Sequence, residues 1–359
     1  MAIKPHTKLE YLFLCGRPLS PLYSCVMANR STLYQKGFFK RHKLEVPVIS
    51  VGNLVLGGTG KTPLVHYIAK LLRHNKKKPA ILSLGYKGSA SEKINIVSNG
   101  IDILLDAAHA GDEPRLLAEK LPRTPVITGK KRSKTGRFAI DTFGVDSLIL
   151  DDGFQHMSLK RDLDLMLFSA QKRLGNGRVL PGGDLREPLS ALERADAFVI
   201  SGVETPLDDN LEEFLKFLHD LFPATPVFTG SYQSEETIYR TYSGRNEALN
   251  ILEVRNIPVY GFCGIAQPDS FHNILRKSDM NLVGFESFED HHAYISDDIK
   301  SICNHGLSAG AQAMITTEKD LVKIRNIFPQ DFPLLTLRIR FQMDKDFDRY
   351  LLKNLECFK

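Results

Sequence analysis

The 359-residue sequence has no tryptophan, only five cysteines and no long apolar run. The cysteines (Cys15, Cys25, Cys263, Cys303 and Cys357) form no CxxC pair and are odd in number. A reduced, cytosolic setting is the simplest expectation. No stretch supplies the roughly 18 consecutive apolar residues of a membrane-spanning helix. The start of the chain lacks the ordered basic, apolar and small-residue regions of a signal peptide. Charge of one sign is also scarce: the net charge of +5 suits an anionic ligand but is too weak to imply nucleic acid as a partner. What is present, 43% hydrophobic and 25% charged residues, is the composition of a globular protein with a substantial core. The length predicts two domains at roughly 150 residues each.

Residues 1–45 differ in character from the rest. Apolar side chains (Tyr11, Leu12, Phe13, Leu14, Leu19, Leu22, Tyr23, Val26, Met27) precede a basic tract of Lys36, Lys40, Arg41, His42 and Lys43. Two readings fit: a helix lying in a membrane interface beside anionic headgroups, or a helix packed on the domain with a solvated charged end.

From residue 46 the pattern becomes alternating. A β-branched run over 46–51 is followed by glycines and then by apolar residues at helical spacing (Leu64, Val65, Ile68, Ala69, Leu71, Leu72), which predicts strand, loop, helix. Further buried strands are expected at 80–84, 147–150, 163–168 and 197–200, with helices at 113–120, 133–143 and 210–222. This predicts an α/β fold of P-loop NTPase type, a mostly parallel sheet with helices on both faces. Residues 226–242 are expected to be a β-rich connector or hairpin. Residues 243–359 are expected to form a smaller α/β domain, with strands at 257–263, 281–285 and 313–316, helices at 270–277 and 297–307, and a final helix over 344–358.

The strongest chemical signal is Val55-Leu56-Gly57-Gly58-Thr59-Gly60-Lys61-Thr62. Glycines let backbone N–H groups wrap phosphates, the lysine reaches the β/γ oxygens, and the neighbouring hydroxyl suits Mg²⁺. A helix opening at Lys61 aims its dipole at the same anion. Val55 departs from the strict pattern, which wants glycine there. The second signal is the apolar run Leu148-Ile149-Leu150 ending in Asp151-Asp152. A carboxylate at that strand end is expected beside Mg²⁺, with Asp151 preferred over Asp152 as the direct ligand. Alone, such a pair is an ordinary strand-end turn; after a phosphate loop it carries weight.

These strings, extended to Asp151-Asp152-Gly153-Phe154-Gln155-His156 and to Gly52-Asn53 ahead of the loop, resemble the tetraacyldisaccharide 4′-kinase family. So do Gly111-Asp112-Glu113-Pro114, Pro181-Gly182-Gly183-Asp184-Leu185-Arg186-Glu187-Pro188, Phe288-Glu289-Asp290-His291-His292 and Thr316-Thr317-Glu318-Lys319-Asp320. The matches span about residues 18–323. Leu84 stands where the family often has arginine, and Val55 where it usually has threonine.

The resemblance implies transfer of the ATP γ-phosphoryl group to the 4′-hydroxyl of an acylated disaccharide 1-phosphate in lipid A biosynthesis. It implies ATP and Mg²⁺ as cofactors and a peripheral position on the cytoplasmic face of the bacterial inner membrane; a monomer is expected. Lys61 would neutralise phosphate charge, and Thr62 with Asp151 would hold Mg²⁺. The resemblance assigns the base to Asp112 with His291 as its partner, which implies closure of one domain on the other. Arg186 would stabilise the transferred phosphate, while Asp152, Glu187 and His156 would position Mg²⁺, water or substrate. The competing reading is a P-loop NTPase switch, but its signature lysine before the two glycines is here Leu56.

Overall fold

The computed structural model describes residues 8–86, 88–204, 206–242 and 245–356. The strands are β1 (Val48–Gly52), β2 (Pro79–Ser83), β3 (Asn95–Ser98), β4 (Val126–Thr128), β5 (Ser147–Asp151), β6 (Leu163–Ser169), β7 (Ala197–Ser201), β8 (Val227–Tyr242), β9 (Arg245–Asn250), β10 (Val259–Cys263), β11 (Leu282–Ser287), β12 (Ala313–Thr317) and β13 (Leu334–Met343). They form one sheet in the order β11-β10-β12-β13-β8-β7-β6-β1-β5-β2-β4-β3, with β9 attached to β8. Pairing is parallel throughout except β13/β8, β8/β9 and β3/β4. The expected mostly parallel α/β architecture is the observed one.

Strands β1, β2, β5, β6 and β7 are buried at every position, so they read as continuous apolar runs rather than alternations, as strands covered on both faces do. The helix Lys61–His74 contributes Leu64, Val65, Ile68, Ala69 and Leu72 to one core layer. A second layer on the opposite face gathers Phe154, Phe168, Phe198 and Phe214.

The segment 226–242, expected as a β-rich connector or hairpin, pairs antiparallel with β9 at its end. It is a single 16-residue strand that pairs in parallel with β7 at its start and antiparallel with β13 along its length. The two α/β units therefore share one sheet, and the β8/β13 ribbon carries it between them. The final helix is Lys345–Glu356; the last residues of the expected 344–358 span lie outside the described residues. Phe347 and Leu351 of this helix pack into the first unit's core, so the C-terminus folds back across the ribbon.

The N-terminal segment forms helices Lys8–Gly16 and Ser20–Gln35. The second is pinned to the first unit by Ser20 Oγ donating to Val179 O (2.8 Å), Tyr23 Oη to Arg186 O (3.1 Å) and Arg30 Nη2 to Gln155 O (3.2 Å). Packing on the domain holds, yet Leu12, Leu14, Leu19, Leu22 and Val26 stay exposed. No described helix is long and apolar enough to cross a membrane.

Candidate active site

The phosphate loop lies at the carboxyl edge of β1, between Gly52 and the helix Lys61–His74. Gly60 has φ +86°, and a Cβ there would meet Tyr232 Oη at 2.1 Å, so only glycine fits. Asn53 braces the loop: Nδ2 donates to Val55 O (2.6 Å), and Oδ1 accepts from Lys61 Nζ (3.0 Å). The Asp184–Arg186 segment runs alongside, with Leu56 N donating to Asp184 O and Arg186 N to Leu54 O, both at 2.7 Å. Val55 pairs with Leu185 and is 1% exposed in the same apolar cluster. The position that departs from the strict pattern thus seats the loop on the core.

The β1/β5 register sets Val51 opposite Asp151, which brings the Asp151 and Asp152 carboxylates to the loop. Asp152 (φ +55°) turns towards Arg186, whose Nη1 contacts both its oxygens at 2.9 Å, and lies 3.6 Å from Lys61 Nζ. Burial opposes its ionisation, but Lys61 and Arg186 outweigh that and hold it below the usual carboxylate range. Asp151 is opposite in character. It is 1% exposed; Oδ2 accepts from Ser83 Oγ at 3.3 Å and Oδ1 has no hydrogen-bond partner. Burial, then the charges of Glu113 and Asp152, push it up to about 7. A buried carboxylate oxygen with no partner costs free energy that a bound cation would recover.

That orphaned oxygen fits Mg²⁺. Among the described residues no group of three His, Cys, Asp or Glu side chains is arranged to hold a metal.

Glu187 is paired within its own segment. It is 1% exposed, and its two oxygens accept from Arg194 Nη1 and Nη2 at 2.9 and 3.0 Å. Arg194 in turn lies over the Phe154 ring at 4.3 Å. A carboxylate held in this way braces the Arg186 segment. His156 sits on Ser158 Oγ (3.1 Å), and burial with nearby Arg132 and Arg161 lowers it to about 4, so it is a neutral imidazole at pH 7.

The second half of the site bridges the two units. Gly111 (φ +89°) turns the chain into the helix Asp112–Lys120, and a Cβ there would meet Tyr86 O at 2.6 Å. Asp112 therefore sits at a helix N-terminus, where a carboxylate is favoured. Its Oδ2 lies 2.8 Å from His291 Nδ1. Burial opposes ionisation of Asp112, but the His291 hydrogen bond and the Lys319 charge hold it below its ordinary value.

His291 adopts φ +60°, an uncommon backbone state that its N–H bond to Gly264 O (3.2 Å) helps to hold. Lys319 Nζ lies 3.2 Å from His291 Nε2, 3.2 Å from Glu113 and 3.3 Å from Asp290. Thr317 caps the helix Glu318–Ile324 by accepting from Asp320 N, and buried Asp320 accepts from Gly264 N at 3.0 Å. The Thr316–Asp320 string is thus a helix cap that also fixes the His291 loop and aims Lys319.

Two further residues reach the loop, and a third reaches Asp151, without a signal in the sequence. Lys172 Nζ donates to Leu56 O at 2.9 Å. Gln267 Nε2 donates to Gly58 O at 3.1 Å and to Ser169 Oγ at 2.9 Å. Arg132, 3% exposed, lies with Nη2 at 3.4 Å from Asp151 O, and burial lowers it to about 10. No local pattern marks Lys172 or Gln267, since both depend on long-range packing. Arg132, opening the helix after β4, is equally unmarked in sequence.

A glycine-rich loop between a central parallel strand and a helix, with an acidic strand end beside it, defines a P-loop kinase fold. Comparison with known proteins narrows this. The family described as tetraacyldisaccharide-1-P 4′-kinase matches residues 12–356, and the chain belongs to that family. A tetraacyldisaccharide 4′-kinase of Desulfotalea psychrophila is 47% identical, covering 98% of this chain and 99% of that one. Another, from Syntrophus aciditrophicus, is 36% identical, covering 94% and 91%. The crystal structure of an "apo" form of LpxK from Aquifex aeolicus in complex with ATP superposes with a TM-score of 0.74 at 32% identity, covering 94% of this chain and 98% of that one.

Proposed function

We propose that the chain is an ATP- and Mg²⁺-dependent kinase that phosphorylates the 4′-hydroxyl of a tetraacyldisaccharide 1-phosphate, acting as a monomer at the cytoplasmic face of the inner membrane. The observation that carries this is the Asp112–His291 contact, a carboxylate and an imidazole from different units meeting in a chain with an intact phosphate loop. A switch NTPase needs no base for an alcohol, and Leu56 occupies its signature-lysine position.

Phosphoryl transfer is mainly positioning and charge stabilisation. In this reading Lys61, held by Asn53 and near Asp152, takes the β/γ oxygens. Mg²⁺, held by Asp151 and Thr62, would supply neutralisation of phosphate charge. Asp112 accepts the hydroxyl proton as the new O–P bond forms and the β–γ bond breaks, releasing ADP. Its depressed pKa keeps it ionised at neutral pH, and His291 fixes its orientation. Arg186 joins once the phosphate arrives, its guanidinium being held meanwhile by Asp152. The contact between the units excludes water, which limits wasteful ATP hydrolysis.

The exposed apolar face of the N-terminal helices and the basic tract after them support docking on a bilayer carrying the acceptor. The test is ³²P transfer from [γ-³²P]ATP with Mg²⁺ to a detergent-dispersed tetraacyldisaccharide 1-phosphate. Labelled lipid is expected. ATP hydrolysis without labelled lipid would favour the switch reading.

A further inference from the structure

At the opposite edge of the sheet from the phosphate loop, the structure holds a crevice of about 280 Å³ that none of the chemistry above uses. Its walls include Gln35 at the end of the second N-terminal helix, Arg41, Lys160, Arg161 and Arg194. A backbone bridge builds it: His42 N donates to Ser158 O and Lys160 N to His42 O, both at 2.8 Å, which sets the Arg41 and Lys160 segments side by side. Two of the cations are already engaged. Arg161 pairs with buried Asp164 and Arg194 with Glu187. Asp196, also on the wall, accepts from Asp164 N at 2.7 Å. Arg41 and Lys160 are exposed and face this floor. Burial, then repulsion from Arg161 and Arg194, lowers the basicity of Arg41; an anion in the crevice would relieve that repulsion.

The surroundings are apolar on one side. Phe38 (74% exposed) and Phe39 (43%) lie in the same turn as Arg41. The helix that ends at Gln35 carries exposed Leu22 and Val26 in its first half. Cationic donors bordered by exposed apolar side chains match a phosphodiester at a bilayer surface rather than a phosphate free in solution.

We propose that this crevice binds the phosphate of an anionic phospholipid headgroup, with Arg41 and Lys160 as its donors. It is a second lipid contact, separated from the phosphate loop by the length of β6. The proposal rests on the membrane reading above and sharpens it: docking takes a defined headgroup site as well as a general field.

The experiment is flotation of the full chain with phosphatidylcholine vesicles, with and without phosphatidylglycerol. It compares wild type, Arg41→Ala/Lys160→Ala, and Lys36→Ala/Lys40→Ala, which removes equal charge outside the crevice. The crevice variant should lose roughly tenfold or more of its affinity for the anionic vesicles, and the control pair clearly less. Equal losses in the two variants, or none in the crevice variant, would overturn the site. Thermal melts with inorganic phosphate form the second arm. A phosphate-induced rise abolished by Arg41→Ala/Lys160→Ala, with vesicle binding unchanged, would overturn the lipid assignment in favour of a soluble anion. Both side chains are exposed, so the variant should melt as wild type does without ligand. Transfer to detergent-dispersed acceptor is scored separately. If it is absent in a wild type that docks through Arg41 and Lys160, the kinase reading falls and this site stands.

Discussion

The phosphate loop takes its shape from one stretch of chain, residues 52–62, whereas the Asp112–His291 pair joins residues 179 positions apart in two units. The loop half is partly buried, braced by Asn53, and keeps an unmet need in the partnerless Asp151 oxygen. The bridging half is internally paired: Asp112 contacts His291, and Lys319 contacts His291, Glu113 and Asp290. One half is prepared for ligands that bring charge. The other is held together by charges of its own, and opening the units would break it. In the proposed mechanism this separates holding ATP, a property of one unit, from activating the acceptor, a property of the closed pair.

The largest test of that separation is Lys61→Ala. Among the described residues its ammonium contacts Asn53 and Asp152, both in the loop half, so transfer should fall on the order of a thousandfold or more, the scale of losing one cation from a phosphoryl-transfer site. The closed contact between the units should persist, as judged by hydrogen exchange over residues 112–120 and 318–324. Near-normal turnover would remove the phosphate-loop assignment.

The bridging half should respond differently. Asp112→Asn is expected to lower kcat by roughly a hundredfold to ten-thousandfold, the usual reach of a general base, with little change in ATP affinity. His291→Ala should cost less. The double variant should cost no more than Asp112→Asn alone, since the imidazole acts through the carboxylate. Additive losses would mean that the two residues work separately.

Protonation distinguishes the halves further. Asp112 is held ionised, while Asp151 is pushed up to about 7. With its folded pKa raised, Asp151 adds stability at acid pH that is lost as pH rises towards about 7, because the folded state keeps a proton the unfolded chain has released. Mg²⁺ must displace that proton. Its affinity should fall about tenfold per pH unit below about 7, and the Mg²⁺-dependent rise in melting temperature should grow across that range. Asp151→Asn should abolish the rise and melt no lower than wild type at about pH 8 without metal. A pH-independent Mg²⁺ response would show that Asp151 is not the ligand.

The same contrast explains what was legible in the sequence. The loop half could be read because its parts are contiguous, and strands β1 and β5 announce themselves as unbroken apolar runs. Asp112 and His291 came only through the family resemblance: nothing local marks a histidine in Phe288–His292 as a partner for a residue in another unit. The β8/β13 ribbon was hidden for a related reason. Its first strand holds Gly230, and β13 ends in the alternation Arg338-Ile339-Arg340-Phe341-Gln342, so neither resembles the buried parallel strands around it. The pairing of Glu187 is illegible for the same reason: an acidic residue beside Arg186 looks like site chemistry, while its partner Arg194 lies seven residues on and its burial is set by the fold.

The smallest expected effect concerns a hydrogen bond that joins the second unit to the loop itself. Gln267, from the second unit, donates to Gly58 O, and the neighbouring Ala266 sits where a Cβ on Gly58 would fall 2.7 Å away. If the loop half is independent of closure, this bond is incidental, and Gln267→Ala should leave the KM for ATP unchanged. If closure reports on the loop, its loss removes one neutral hydrogen bond, about 0.5–1.5 kcal/mol net. The KM for ATP should then rise roughly twofold to tenfold while kcat with saturating ATP holds. We expect the second outcome. Gln267 also bonds Ser169, so the amide ties three elements, β6, the loop and the second unit, at one point. A side chain in that position cannot follow a shift of the loop without loosening the contact between the units.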